Sequence, residues 1–360
     1  MNSQIPPDSH YMQLPREVLI GRSVAPLVGI TLTRLGIRGR ALIVTGPDVN
    51  QIVASTILDA LTKEAFATKT AVVKNATTEQ VSQVENVIRE FEPDIILGVG
   101  GGKDIDVAKL SSMRSSRQFL SVPTAASHDG IASGLVSMKG LDRPYSYVAH
   151  SPIAVVADTS IIAKSPYRLI ASGCGDVVAK YTAVKDWKLA HRIKNEYYGD
   201  YAAELAMMSA RLVMKNASSI RMLSESGVRT LVEALISCGV AMSIAGTSRP
   251  CSGAEHLFSH CLTMIAPTPA LHGEQCGVGT ILCAYLHGAN WQLIRDVLRK
   301  IGAPTNAAEL GVDPKYIVEA LTKAHSVRPE RYTILGDSGL TKEAAERVAS
   351  MTGVIDQVRQ

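Results

Sequence analysis

The chain has 360 residues, of which 46% are hydrophobic and 19% charged, too apolar and too sparsely charged for a disordered protein. Its net charge is +4, with lysine and arginine spread along the whole length, and aromatics make up 5%. That leaves neither the basic cluster nor the stacking platform of a nucleic-acid binder, and the length allows roughly two domains.

The first half alternates short apolar runs with helical patterns. Ala41 to Thr45 reads as a strand, and a helix-like stretch follows through Leu58 and Leu61. Thr70 to Val73 is the next short run, and Thr78 to Phe91 carries Val81, Val84, Val87 and Ile88 at helical spacing. Asp94 to Val99 predicts a strand, Lys103 to Met113 a helix, and Phe119 to Thr124 another strand. Ile153 to Ala157 reads as one more strand. Continuous apolar strands separated by helices are the pattern of a parallel sheet covered on both faces. After about Ser165 the strand-like runs stop, and Ala/Leu/Met-rich helical segments such as Gly199 to Lys215 and Thr230 to Ala245 take over. The expectation is an α/β domain over residues 1–164 and an all-helical domain over 165–360.

Met1 to Pro7 lacks the basic start and apolar core of a signal peptide. The apolar stretch Leu231 to Gly246 contains Glu233 and falls short of the roughly 20 residues of a membrane span. Six cysteines, at 174, 238, 251, 261, 276 and 283, form no CxxC pair and read as reduced core or site-adjacent thiols. These features predict a cytoplasmic protein without membrane insertion.

Two segments sit at the carboxyl ends of predicted strands, where open α/β sheets bind ligands. In the first, Gly100-Gly101-Gly102-Lys103-Asp104-Ile105-Asp106 follows a strand and opens a helix. Glycines let a ligand approach the backbone, and the helix start offers unpaired N–H groups and a positive dipole end, together a phosphate site. The spacing matches neither the G-x-G-x-x-G fingerprint nor the P-loop, so a tight turn without ligand is the alternative. The second segment is Pro123-Thr124-Ala125-Ala126-Ser127-His128-Asp129-Gly130.

In the helical half, Gly253-Ala254-Glu255-His256-Leu257-Phe258-Ser259-His260 places two imidazoles four residues apart on one helix face. Leu271-His272-Gly273-Glu274-Gln275 adds a third, and Ser172-Gly173-Cys174-Gly175-Asp176 supplies a carboxylate, read as opening a helix. A carboxylate with two or three imidazoles suits a divalent metal such as Zn²⁺ with one position left for substrate. On spacing alone, core or surface histidines remain the competing reading. His10, His150, His191, His287 and His325 have no partner at ligand spacing and read as structural, and the Met and Cys residues of this half as core filling.

In order along the chain, Gly-Gly-Gly-Lys-x-x-Asp at 100–106, Pro-Thr-x-x-Ser-His-Asp-Gly at 123–130, Ser-Gly-x-Gly-Asp at 172–176, Gly-x-Glu-His-x-x-x-His at 253–260 and His-Gly-Glu-Gln at 272–275 resemble the archaeal-type sn-glycerol-1-phosphate dehydrogenases. That family lies within the wider group of glycerol dehydrogenases, iron-type alcohol dehydrogenases and dehydroquinate synthases, and the likeness runs from about Arg16 to the C-terminal helices. It implies a Rossmann-like N-terminal domain, a helical C-terminal domain and a site in the cleft between them. By motif, Gly100 to Asp106, Thr124, Ala125, Ala126, Ser127 and Ser133 would contact NAD(P). Asp176, His256 and His272 would hold Zn²⁺, and Asp129, Asp176 and His260 would face the substrate. The implied reaction is reduction of dihydroxyacetone phosphate to sn-glycerol 1-phosphate by a homo-oligomer, for membrane ether-lipid synthesis. His260 would supply the proton directly or through water, and Asp129 would fix a substrate hydroxyl.

Gly46, at the end of the first predicted strand with Asp48 two residues on, leaves room for a 2′-phosphate and predicts use of both NADH and NADPH. Arg249 and Lys180 are candidate phosphate ligands, with ordinary solvated cations the equal alternative. Three other activities compete: a glycerol dehydrogenase, a dehydroquinate-synthase-like lyase and a non-catalytic nucleotide-binding module.

Overall fold

The computed structural model describes residues 12–138 and 146–356, so Met1 to Pro7 and His10 lie outside the described residues. The first part runs β1 (Glu17–Gly21), α1 (Val28–Arg34), β2 (Arg40–Thr45), α2 (Pro47–Ile52), α3 (Ala54–Lys63), β3 (Ala67–Val72), α4 (Thr78–Phe91), β4 (Ile95–Gly100), α5 (Gly102–Arg114) and β5 (Gln118–Pro123). It continues through a short hairpin, β6 (Leu135–Ser137) and β7 (Ser146–Val148), to β8 (Ala154–Asp158) and α6 (Thr159–Ile162). Helices follow: α7 (Tyr167–Lys194), α8 (Asp200–Lys215), α9 (Ala217–Arg221), α10 (Glu225–Ala245), α11 (Ala254–Ile265) and α12 (His272–Leu286). The chain ends with α13 (Trp291–Ile301), α14 (Ala307–Leu310), α15 (Pro314–Val327) and α16 (Lys342–Met351). Among the described residues no strand follows β8.

Six strands form one parallel sheet in the order β1-β8-β5-β4-β2-β3. The chain leaves β2 toward β3 on one side and returns through α4 to β4 on the other. The switch point therefore lies between β2 and β4, and the crevice there is framed by the turns after these two strands. Strand alternation sends Ala41, Ile43, Ile95 and Leu97 into a core with α1 and α3. Leu42, Val44 and Ile96 enter the core on the opposite face. That second core is continuous with the helical half: Ile105 and Ile131 belong to the same cluster as Val177, Leu235 and Phe258.

Local chemistry explains where the sequence reading and the structure differ. Helix α10 begins five residues before the predicted Thr230, because Ser224 Oγ caps it by accepting from Gly227 N–H at 3.1 Å. The resulting 21 residues are long and apolar enough to cross a membrane, yet most of them are buried inside the fold. Strand β1 escaped the pattern because it is a five-residue edge strand, only partly buried. The segment Ser172 to Asp176 is not a helix start, which corrects the sequence reading: α7 begins at Tyr167 and carries Asp176 well inside it. Its glycines serve close packing instead. A Cβ on Gly173 would lie 2.0 Å from the Ala126 carbonyl oxygen, and one on Gly175 2.2 Å from that of Gly273. These two notches seat the loop after β5 and the start of α12 directly against α7.

Candidate active site

Two adjoining cavities open at the carboxyl end of the sheet. One is the switch-point crevice, lined by Gly46, Pro47 and Asp48 after β2, by Gly101, Lys103 and Asp104 after β4, and by Thr124 and Ala125 after β5. Gly100 has φ of +154°, a conformation that favours glycine, and turns the chain from β4 into α5. The first N–H groups of a helix lack partners within it, and Gly101, Lys103 and Asp104 at the start of α5 line the crevice. Asp104 Oδ2 accepts from Gly101 N–H at 3.1 Å, while Oδ1 is buried without a partner. Burial pushes the Asp104 carboxyl up to about 6, against the pull of Lys103.

The second cavity lies between α5, the turn at 128–130 and the helical half, and is lined by His128, Asp129, Ser133, His256, His260 and His272. Helix α11 puts His256 and His260 on one face, and the first residue of α12 is His272. Asp176 Oδ1 lies 3.4 Å from His256 Nε2. Ligand atoms of Asp176, His256, His272 and Cys276 all fall within 4.8 Å of one another.

Each imidazole is oriented from behind. His256 Nδ1–H donates to Glu255 Oε1 at 2.8 Å, and buried Glu255 also accepts from Gly253 N–H and Thr182 Oγ–H. His272 Nδ1 bonds Ser259 Oγ at 3.2 Å, whose own hydrogen goes to Gln275 Oε1 at 3.1 Å. Both Nε2 atoms are thereby left to face the cluster, the arrangement by which proteins fix metal-binding histidines. Burial opposes charge on His256, but Cys276, Asp176 and Glu255 outweigh it and raise its pKa well above the ordinary value. Burial likewise pushes the Cys276 thiol up, yet His256 and His272 pull it down to about 6. This set of one carboxylate, two imidazoles and one thiol, buried except at His272, fits a divalent transition metal.

Lys180, buried one turn after Asp176, donates to Asp176 Oδ1 at 2.7 Å and to Asp129 Oδ2 at 2.8 Å. Asp129 N–H in turn donates to Asp176 Oδ2 at 2.8 Å. Lys180 is therefore no solvated cation. Nor is Arg249, which is 2% exposed and engaged by both Glu196 carboxylate oxygens and the Tyr332 carbonyl. His260 is held well below the ordinary imidazole range by burial, by His272 and His256, and by Arg328 and Arg331, so it stands in this pocket as a neutral ring.

The remaining sequence-selected residues divide between the two cavities and the core. Lys103 borders both cavities, and Gly102 and Ser133 line the second. Asp106 also borders the second and accepts from Ser137 N–H at 2.9 Å. Ile105 and Ala126 are fully buried in the core and line neither cavity. The Ser127 carbonyl accepts from Ser172 Oγ. Of the histidines read as structural, His287 bonds Asp186 Oδ1 at 3.0 Å and His150 bonds Ser112 Oγ at 2.8 Å. Sequence reasoning passed over Glu255, Ser259, Gln275, Lys180 as the Asp129–Asp176 link, and Cys276. Spacing could have found Cys276, which stands at i+4 from His272 on one helix face.

A doubly covered parallel sheet with a switch-point crevice is joined here to a helical half that carries an Asp/His/His cluster. Residues 19–166 match the family described as iron-containing alcohol dehydrogenase. The fold is similar to a probable glycerol dehydrogenase from Sinorhizobium meliloti, with a TM-score of 0.77 at 20% identity over 96% of this chain and 100% of that one. A glycerol-1-phosphate dehydrogenase (NAD(P)+) from Thermococcus sibiricus is 56% identical over 96% of this chain and 99% of its own length. Its counterpart from Pyrococcus furiosus is 54% identical over 96% of this chain and all of its own. The chain belongs to the glycerol-1-phosphate dehydrogenase family.

Proposed function

We propose that this chain is an NAD(P)-dependent oxidoreductase that reduces dihydroxyacetone phosphate to sn-glycerol 1-phosphate, the backbone of ether membrane lipids. The observation that carries this reading is the near-full-length identity of more than half to relatives named glycerol-1-phosphate dehydrogenase. In the same reading residues 1–164 bind the dinucleotide and residues 165–360 supply most of the metal and substrate site. The crevice between β2 and β4 takes the cofactor, with its pyrophosphate at the start of α5.

Asp176, His256 and His272 hold the metal, zinc by preference, and the donor chemistry described above supports that assignment. When bound, the metal supplies Lewis-acid polarisation of the substrate's carbonyl, and the nicotinamide supplies the hydride. The chain's own residues do the rest. Asp129, fixed by Lys180, accepts a substrate hydroxyl and orients the ketone, while the buried walls exclude water. His260 passes the proton to the product oxygen as a neutral donor relayed from water. Tyr201, Met208 and Leu212 lie on one exposed face of α8 at heptad-like spacing, which supports a homo-oligomer. We place the enzyme in the cytoplasm.

The test is NADPH and NADH oxidation with dihydroxyacetone phosphate, before and after chelation and with zinc restored. Metal-dependent oxidation, with a product refused by an sn-glycerol-3-phosphate dehydrogenase, is the expected outcome. Activity with glycerol or dihydroxyacetone alone would overturn the phosphate substrate. Silence with all of them in a zinc-loaded protein would overturn the activity.

A further inference from the structure

We infer that Arg331, Arg328 and Ser248 form an anion subsite beside the second cavity, and that it takes the phosphate of a phosphorylated substrate. The inference rests on the proposed reduction of dihydroxyacetone phosphate and names the residues that hold the charged end of that substrate.

The cations closest to the motifs are already engaged. Lys180 is held between Asp129 and Asp176, and Arg249 by the Glu196 carboxylate. Lys103 is exposed, bonds the Lys74 carbonyl at 3.1 Å and also lines the dinucleotide crevice. A third cavity adjoins the second and shares Leu135, Met242 and Ser248 with it. Its charged lining residues, among those described, are Arg328 and Arg331, accompanied by the hydroxyls of Ser151, Ser243, Thr247 and Ser248. The second cavity, by contrast, carries the carboxylates of Asp106 and Asp129. A phosphate entering the third cavity therefore meets guanidinium and hydroxyl donors without a competing carboxylate in its lining.

The fold holds these donors in place. Arg328 follows the last residue of α15, and Arg331 N–H bonds the Arg328 carbonyl at 2.9 Å, so both arginines stand on one turn. From there Arg331 reaches the turn after α10, where Nη1 donates to the Ser252 carbonyl and Nη2 to Ser248 Oγ, both at 2.7 Å. These acceptors are neutral and use two of the five guanidinium donors. Ser248 accepts through its oxygen and keeps its own hydrogen to donate. Ser248 and Ser252 line the second cavity together with His260, which sets the guanidinium directly behind that wall. Burial, then Arg328 and Arg249, push Arg331 down to about 9, which leaves it charged at neutral pH beside like charges that an arriving anion offsets. A planar guanidinium fork matches phosphate oxygens in a way that an ammonium does not.

The test compares wild type with Arg331→Gln, Arg331→Lys and Arg328→Gln, each as full-length, zinc-loaded protein with saturating NADPH. The readout is the ratio of kcat/KM for dihydroxyacetone phosphate to that for dihydroxyacetone, which a general disturbance of the site does not move. It should fall about 10–100-fold in Arg331→Gln, mainly through KM, and by a smaller factor in Arg331→Lys, which keeps the charge without the fork. Arg328→Gln leaves the Arg331 bonds to Ser248 and Ser252 in place and guards against a variant that fails to fold; its ratio should fall about 3–30-fold. Inorganic phosphate should compete with dihydroxyacetone phosphate, with an inhibition constant raised in all three variants. An unchanged ratio, or phosphate inhibition equal in wild type and variants, would overturn the inference. If wild type reduces dihydroxyacetone but not its phosphate, the proposed substrate falls, and calorimetric titration with inorganic phosphate judges the subsite by itself. Binding that is lost in Arg331→Gln supports the subsite, while no binding, or binding retained in that variant, overturns it.

Discussion

Replacing Asp104 by Asn should stabilise the protein, and by an amount that depends on pH. Asp104 is 1% exposed, Oδ2 holds the Gly101 N–H, and Oδ1 is buried with no partner, so ionisation places a charge where only one bond supports it. Its pKa is pushed up to about 6 by burial, against an ordinary aspartate value of about 3.9 in an unfolded chain. Because the folded form binds the proton more tightly, stability is greatest below about pH 4 and is lost as pH rises through 6. By linkage the full displacement corresponds to about 3 kcal/mol at pH 8. An asparagine carries no charge and keeps an oxygen for Gly101, so the variant escapes that cost. The assay is thermal and urea midpoints of both proteins at pH 4.5, 6 and 8. The variant should gain about 2 kcal/mol relative to wild type on going from pH 4.5 to pH 8. A difference that stays constant across this range would refute the assignment of the cost to Asp104.

Glu255→Gln should weaken zinc binding roughly 10–100-fold with unchanged far-ultraviolet circular dichroism, because His256 loses its orienting carboxylate; competition with a chromophoric chelator measures this. Lys180→Met strands two carboxylates and should cost about 3–5 kcal/mol at pH 8 in urea unfolding, with a smaller loss at pH 5, where the stranded group can take a proton. Gly173→Ala forces a methyl against the Ala126 carbonyl and should cost about 3 kcal/mol, with kcat falling as the 124–129 loop shifts; an unchanged melting temperature would contradict the packing described for α7. Asp48→Asn, at the crevice mouth, should raise the NADPH-to-NADH ratio of kcat/KM by about 3–10-fold, read from initial rates with each cofactor.

Much of this architecture was written plainly in the sequence. Helix α4 occupies the span its periodicity predicts, Thr78–Phe91, because apolar spacing and the Thr77 cap agree on it. The strands of the sheet centre were equally legible, since burial on both faces leaves continuous apolar runs. The edge strand β1 and the three-residue strands β6 and β7 were not, because each is too short or too exposed to make a pattern. The site divides the same way. Asp176, His256 and His272 stood out as chemistry-bearing residues in ordered motifs, but part of what supports them depends on contacts across more than 40 positions. Lys180 joining Asp129 to Asp176 is one such contact, and Thr182 joining Glu255 is another. A glycine-rich run read as a helix start proved to be a packing notch, because periodicity cannot separate a glycine that ends a helix from one that admits a neighbour.

The bond from Asp129 N–H to Asp176 Oδ2 makes one carboxylate answer to both sides of the cleft. One of its oxygens faces His256 and Lys180, while the other holds the backbone of the turn at 128–130, which lines the same cavity from the α/β side. A free-energy change at either oxygen is therefore felt at the other, and by thermodynamic reciprocity the coupling has the same size in both directions. In the proposed reading, occupancy of the metal site and the set of the 128–130 turn are thereby coupled through one side chain of the 28-residue helix α7.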